Sequence, residues 1–168
     1  TSDIARRLAE VKFEDLDDDV VNQATRLVMD GLAVAVAGAH HDPIEVLWKV
    51  SQGLAGTGEA SVIGTGAGCA VDVAAYVNGA AMHVLDYEAM WSPATHATST
   101  TLPAVLALAE ERGANGQQVL TALVAGIEVQ GRLRVASGEY ESVTLKLHPP
   151  GAVGPIGAAA AVGVLMGL

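Results

Sequence analysis

The chain has 168 residues, 51% hydrophobic, 4% aromatic and 17% charged, with nine Lys and Arg against nineteen Asp and Glu for a formal net charge of −10. That length is enough for one domain with a real core, and the apolar fraction excludes intrinsic disorder. The acidic balance, without any basic cluster, argues against nucleic acid and anionic membranes, which need cations to meet phosphates, and leaves small molecules or proteins as partners.

Ser2 or Asp3 can cap a short first helix with Ile4, Leu8 and Val11 on one face, followed by a turn over Phe13 to Asp17. Asp17 to Asp19 supply negative charge for a second helix, whose Val20, Ala24, Leu27, Val28, Gly31 and Leu32 share a face until Gly38. Asp42 is the expected cap of a third helix, with Pro43 in its first turn and Glu45 at the capping-box position. Gly53 to Gly68 reads as a loop or a single extended segment around Ala60 to Ile63.

A fourth helix is predicted from Cys69 to Met82, an irregular polar segment from His83 to Thr101, and a fifth helix from Leu102 to Arg112 with Pro103 near its start and Gly113 after its end. Asn115 or Gly116 opens a sixth helix with Leu120, Leu123, Val124, Ile127 and Gly131 on one face and the i,i+4 pair Glu128/Arg132. Gly138 to Gly154 is a second irregular segment, and Pro155 is expected to begin the last helix. No repeat or linker divides the chain, so the expectation is all-α: one Ala/Gly-rich helical bundle over 1–168.

Cys69 is the only cysteine, which rules out an intrachain disulfide and a cysteine-based metal cluster within this sequence. Together with a start, Thr1 to Glu10, that lacks the apolar core of a signal peptide, it makes a reducing cytoplasm the expected location. Gly151 to Leu168 approaches membrane-spanning length but is interrupted by Gly154, Pro155, Gly157 and Gly163, so it reads as a close-packed helix rather than an anchor. From Val50 to Glu111 there is no Lys or Arg, while Glu59, Asp72, Asp86, Glu88, Glu110 and Glu111 fall inside. A stretch this poor in cations is expected to be core or to meet something else.

Chemistry concentrates in His83 to His96, where two imidazoles, two carboxylates, a phenol, an indole and two hydroxyls interrupt an otherwise apolar chain. Imidazole exchanges protons near neutrality and a carboxylate can orient it, so His96 with Asp86 is a candidate general acid or base with its orienting partner. The competing structural reading is that these groups cap helices and satisfy buried backbone. His83, Asp86 and Glu88 could instead ligate a divalent cation, but adjacent positions suit that geometry poorly. His40-His41-Asp42 reads as a solvated helix cap, and His148, before two prolines, suits either a fixed ligand contact or a plain turn. No phosphate loop, GxGxxG, GxSxG or HExxH is present, which disfavours nucleotides and the corresponding hydrolases.

Four runs, in order, resemble the MmgE/PrpD family: Asn78 to Tyr87 (NGAAMHVLDY), Leu102 to Glu110 (LPAVLALAE), Gly126 to Val129 (GIEV), and His148-Pro149 followed by Gly154 to Ala161 (GPIGAAAA). The similarity extends to Ala24 to Leu32 and covers nearly the whole chain. The runs Trp91 to His96, Gly126 to Leu133 and His148 to Pro150 lean toward the cis-aconitate decarboxylase branch rather than the 2-methylcitrate dehydratases. The resemblance implies the helical domain of a lyase that removes CO2 or water from a small di- or tricarboxylate, without metal or organic cofactor. It implies as well a smaller lid domain that this sequence does not contain, and an oligomer.

Carried over by position, His96 matches the histidine that handles the proton, Asp86 an active-site aspartate and His148 a histidine of the same pocket; His83 and Met90 complete the expected substrate-binding set. Where the decarboxylase branch has Asp-Phe-Asp-Asp-Thr-Trp-His, this chain reads Asp86 to Ser92 as Asp-Tyr-Glu-Ala-Met-Trp-Ser, without one acid, the threonine and one histidine. That departure leaves room for an altered chemistry, an isomerase or cyclase, or for a non-catalytic assembly subunit. A polycarboxylate also needs several cationic donors. Arg132 and Lys146 are too few, so the remaining cations are expected on a lid-bearing chain, in a homo- or hetero-oligomer.

Overall fold

The structure is a computed structural model and describes residues 2–138 and 147–168. Among them are seven α-helices and one two-stranded hairpin: α1 (Ser2–Glu10), α2 (Asp18–Gly38), α3 (Asp42–Ser51), β1 (Ala60–Val62), β2 (Ala67–Cys69), α4 (Val71–His83), α5 (Ala97–Arg112), α6 (Gly116–Ala136) and α7 (Pro149–Met166). The all-α expectation holds, with the hairpin as a small addition.

Helix α5 is the axis of the bundle. It packs against α2, α4, α6, α7 and β1, and buries residues on every side, including Thr98, Thr101, Leu102, Val105 and Ala109. A helix covered all round has no polar face to display, which is why its sequence shows no amphipathic period. Small residues let its neighbours close in. A Cβ on Gly126 of α6 would lie 2.7 Å from the Gly157 carbonyl oxygen of α7, and one on Gly157 would lie 2.7 Å from the Gly126 carbonyl. The α6–α7 crossing is therefore backbone against backbone. Both α2 and α7 are long and apolar enough to cross a membrane by length and composition; here each contributes residues to the buried interior.

Several boundaries differ from expectation. α5 begins at Ala97, five residues before Leu102, and Pro103 lies inside it. Proline removes its own bond to the carbonyl four residues back. That carbonyl, on Ser99, is 3.3 Å from the Cβ position of Gly79 on α4, so the gap in the ladder faces a glycine. α7 likewise begins at Pro149, not Pro155, because Pro149 and Pro150 sit in the first turn, where a missing N–H costs nothing. Asp42 is the first residue of α3 rather than its cap. The His41 carbonyl accepts from the amides of Ile44 and Glu45 at 2.8 and 3.0 Å, and Asp42 contributes first-turn negative charge instead.

The expected loop or single extended segment folds back on itself, with Ala60 opposite Cys69 and Val62 opposite Ala67. Cys69 thus belongs to β2, and α4 starts two residues later than predicted. Gly64, at φ +85°, makes the turn that L-residues disfavour. The outer edge of β1 is closed by side chains. The amides of Glu59 and Ser61 donate to the carboxylates of Glu111 and Glu110 at 2.9 and 2.6 Å. Buried Asn78 accepts from Ile63 N–H at 2.9 Å and donates to the Ser61 carbonyl at 2.8 Å. An edge strand satisfied in this way offers nothing to a second chain.

Candidate active site

Three helix ends meet at the polar segment. His83 is the last residue of α4, His96 is the N-cap of α5, and His148 is the N-cap of α7. The rings of His83 and His96 are 4.7 Å apart, edge to face, and those of His83 and His148 are 6.3 Å apart. Residues distant in sequence are thus brought together because α5 lies between α4 and α7.

The connection between α4 and α5, residues 84–96, is pinned from behind. The indole of Trp91 lies on Gly131 of α6, where a Cβ would come within 2.9 Å of its Nε1 and nearer still to Cε2 and Cζ2. Trp91 N–H donates to the Thr95 carbonyl at 3.0 Å, closing the turn. Arg134, 3% exposed, donates from Nε to the Ala94 carbonyl at 3.1 Å and from Nη1 to Ser137 Oγ at 3.0 Å. Gln130, fully buried, accepts from Thr100 Oγ1 at 3.1 Å and donates to Thr101 Oγ1 and the Ala97 carbonyl, clasping the first turn of α5.

Glu88 is the hub of the cluster, with its side chain fully buried. Oε2 accepts from the Ser99 amide at 2.7 Å, one of the free donors in the first turn of α5, where the helix dipole also favours an anion. Oε1 is 2.6 Å from His83 Nδ1 and 3.3 Å from His96 Nδ1. The first is a hydrogen bond; the second is not aligned as one, so His96 Nδ1 is buried without a partner. The other nitrogen of His96, Nε2, is 3.2 Å from Asp86 Oδ1. The expected His96–Asp86 pair is therefore adjacent in space, but Asp86 is 77% exposed whereas His96 is 12% exposed. An exposed partner of this kind restrains an imidazole weakly.

Beside the cluster is a mostly apolar cavity of about 420 Å³ between α4, α5 and the start of α7, lined by His83, His148, Tyr76, Ser99 and Thr100 among others. Neither His96 nor Asp86 lines it. Met90 is 57% exposed and lies outside it as well. A larger hollow of about 520 Å³ between the start of α2 and α6 is ringed by Asp15, Asp17, Asp19 and Glu128 and touches no histidine, so of these two only the smaller is lined by residues of the cluster. No Lys or Arg among the described residues lines the histidine cavity. Arg132 is bound to Glu128 at 2.7 Å, and Lys146 lies outside the described residues.

His83, Glu88 and His96 offer three ligand atoms within 4.8 Å of one another, a set that could hold a metal ion. Ligands around a tetrahedral zinc stand about 3.3 Å apart, whereas His83 Nδ1 and Glu88 Oε1 are at hydrogen-bond distance. The arrangement fits a shared proton better than a shared cation. Sequence reasoning weighed Glu88 only as a cation ligand. The signal that identifies it is that the N-cap of α5, His96, makes no side-chain cap bond, so the first turn needs an acceptor from elsewhere and Glu88 is the acid within reach.

A mainly helical domain thus gathers three imidazoles and two carboxylates at its helix ends, groups able to exchange protons near neutrality. Residues 2–168 match the MmgE/PrpD N-terminal domain, and the chain belongs to that family. It is 32% identical to the cis-aconitate decarboxylases of Mus musculus over 173 residues and of Homo sapiens over 178, and 29% identical to that of Aspergillus terreus over 174. Each match takes in the whole of this chain but only 36% of the relative. The chain thus spans about a third of the length of these proteins.

Proposed function

We propose that this domain belongs to a lyase that removes CO2 or water from a small di- or tricarboxylate, with His96 as general acid/base, Asp86 at its Nε2, and His148 and His83 meeting the substrate. The observation that carries the reading is the convergence of these side chains beside one cavity, in a chain similar along its whole length to cis-aconitate decarboxylases. Imidazoles paired with carboxylates can move protons at neutral pH without help from a metal or an organic cofactor. They cannot neutralise a polycarboxylate. An unpaired buried carboxylate is very costly, and the described cavity lining holds no cation. The reading therefore includes a second, cation-bearing segment that closes over the histidines, on a lid domain or a partner chain.

The test is turnover of cis-aconitate and 2-methylcitrate by the native assembly, with its mass measured intact, against the His96→Ala variant. Loss of turnover by at least about 100-fold with an unchanged melting temperature supports the assignment. Wild-type turnover in the variant sinks it, and an assembly that turns over no carboxylic acid points to the subunit role instead.

A further inference from the structure

We propose that Glu88 and His83 form a second proton-transfer pair: the Glu88 carboxylate holds the proton on His83 Nδ1 and leaves His83 Nε2 as the nitrogen presented to the ligand in the cavity. The proposal deepens the lyase reading and takes its substrate class from it. Glu88 acts here as a positioning residue, and His83 is the group that meets substrate.

The geometry is directional. Glu88 cannot turn, because Oε2 is held by the Ser99 amide at 2.7 Å and the side chain is fully buried. An ionised carboxylate only accepts, so the 2.6 Å contact to His83 Nδ1 requires the proton on that nitrogen. The lone pair is then on Nε2. This is the reverse of the form that free histidine prefers. His83 is 39% exposed and lines the cavity, whereas His96 is 12% exposed and does not. Of the two imidazoles facing Glu88 Oε1, His83 is the one both aligned to it and open to a ligand.

The chemistry balances in either lyase direction. When water leaves, the substrate C–H proton moves to His83 Nε2, its electron pair becomes the second C–C bond, and the hydroxide departs as water with the proton of a His96 imidazolium. When CO2 leaves, His83 first takes a proton from solvent onto Nε2; the C–C electron pair then shifts along the carbon skeleton and ends in a new C–H bond that receives this proton, returning the imidazolium to its Nδ1–H form. In both, the charge that appears or vanishes on the imidazole sits against the Glu88 anion.

The experiment is two-bond 15N–1H correlation on 15N-histidine-labelled protein in its native assembly, at about pH 8.5, where ordinary imidazoles are neutral. His83 is assigned by the signal lost in His83→Asn. The expected result is a protonated Nδ1 and a bare Nε2 for His83. In Glu88→Gln the single amide oxygen is claimed by Ser99 N–H, the NH2 turns to His83, and the proton moves to Nε2. With it, kcat falls by at least about 100-fold while KM stays within about threefold. A wild-type His83 protonated on Nε2, a pattern unchanged in Glu88→Gln, or kcat preserved after the inversion overturns the proposal. Should Glu88→Gln fail to fold, the wild-type spectrum alone decides. The spectrum needs no substrate, so it also separates this proposal from the lyase reading, which falls if no carboxylic acid is turned over.

Discussion

Replacing Gly131 by alanine tests how firmly the segment between α4 and α5 depends on α6. A Cβ there would stand 2.9 Å from Trp91 Nε1 and closer to two ring carbons. Ordinary carbon contacts begin at about 3.5 Å, so the indole must withdraw by about 1 Å to clear its two nearest ring carbons, and it cannot slide alone. Its backbone is tied to Thr95 and the same turn carries the Ala94 carbonyl held by Arg134. The segment from Asp86 to His96 shifts with it. Energetically, overpacking costs about 1–3 kcal/mol, while alanine in a helix interior returns about 1 kcal/mol relative to glycine. The net loss is about 0–2 kcal/mol, or a fall in Tm of up to about 8 °C for a chain of this size. Catalysis should suffer more, because a misplacement near 1 Å costs about 100-fold. The assays are thermal unfolding, Trp91 emission in a Trp48→Phe background, and turnover by the assembly. A Gly131→Ala protein with raised Tm, unchanged emission and full activity would refute the anchoring argument.

Asp86 adopts φ +57°, a left-handed conformation that Asn also tolerates but Ala resists by about 1–2 kcal/mol. Asp86→Asn should therefore keep its Tm while losing activity, and Asp86→Ala should lose both; equal melting temperatures for the two variants would remove the backbone argument. Asn78→Ala leaves the Ile63 amide and the Ser61 carbonyl without their side-chain partner, at about 1–3 kcal/mol each. Urea unfolding should show a loss of about 3 kcal/mol, and one below about 1 kcal/mol would mean the hairpin does not depend on Asn78. Burial pushes the Cys69 thiol up, the nearby Asp72 charge adding to it. The unfolded chain then releases this proton at lower pH than the folded one, so stability is full below the ordinary thiol range and declines as pH rises through it. Cys69→Ala should flatten that alkaline decline in denaturation curves taken across it.

Helices were legible wherever one face was apolar and the ends carried ordinary signals. Asn115, for instance, accepts from Gln118 N–H at 3.0 Å in a complete capping box. Reading failed where tertiary contacts overrode local rules. Pro103 and Pro155 look like helix starts, yet both lie inside helices whose interrupted ladders the packing tolerates. β2 was hidden because Ala67-Gly68-Cys69 has no β-forming run and is held by its partner strand and neighbouring side chains. At the candidate site, the sequence anticipated the adjacency of His96 and Asp86. It could not rank the acids, because burial, which makes Glu88 the fixed partner and leaves Asp86 in solvent, depends on how α5 is enclosed.

The start of α7 at Pro149 has a dynamic consequence. His148 is held beside His83 by a helix that arrives from more than fifty residues downstream and meets α6 through bare backbone at Gly126 and Gly157. Its two leading prolines stiffen the approach, while Pro155 inside the helix supplies no N–H to the carbonyl four residues back, on Gly151, so the start of α7 has one bond fewer to break when it opens. Fraying at that end would withdraw one wall of the cavity and one imidazole at once, without disturbing the segment that carries Glu88 and His96. Ligand occupancy and the opening equilibrium of this helix end are thereby linked: whatever fills the cavity should slow amide exchange in the first turns of α7.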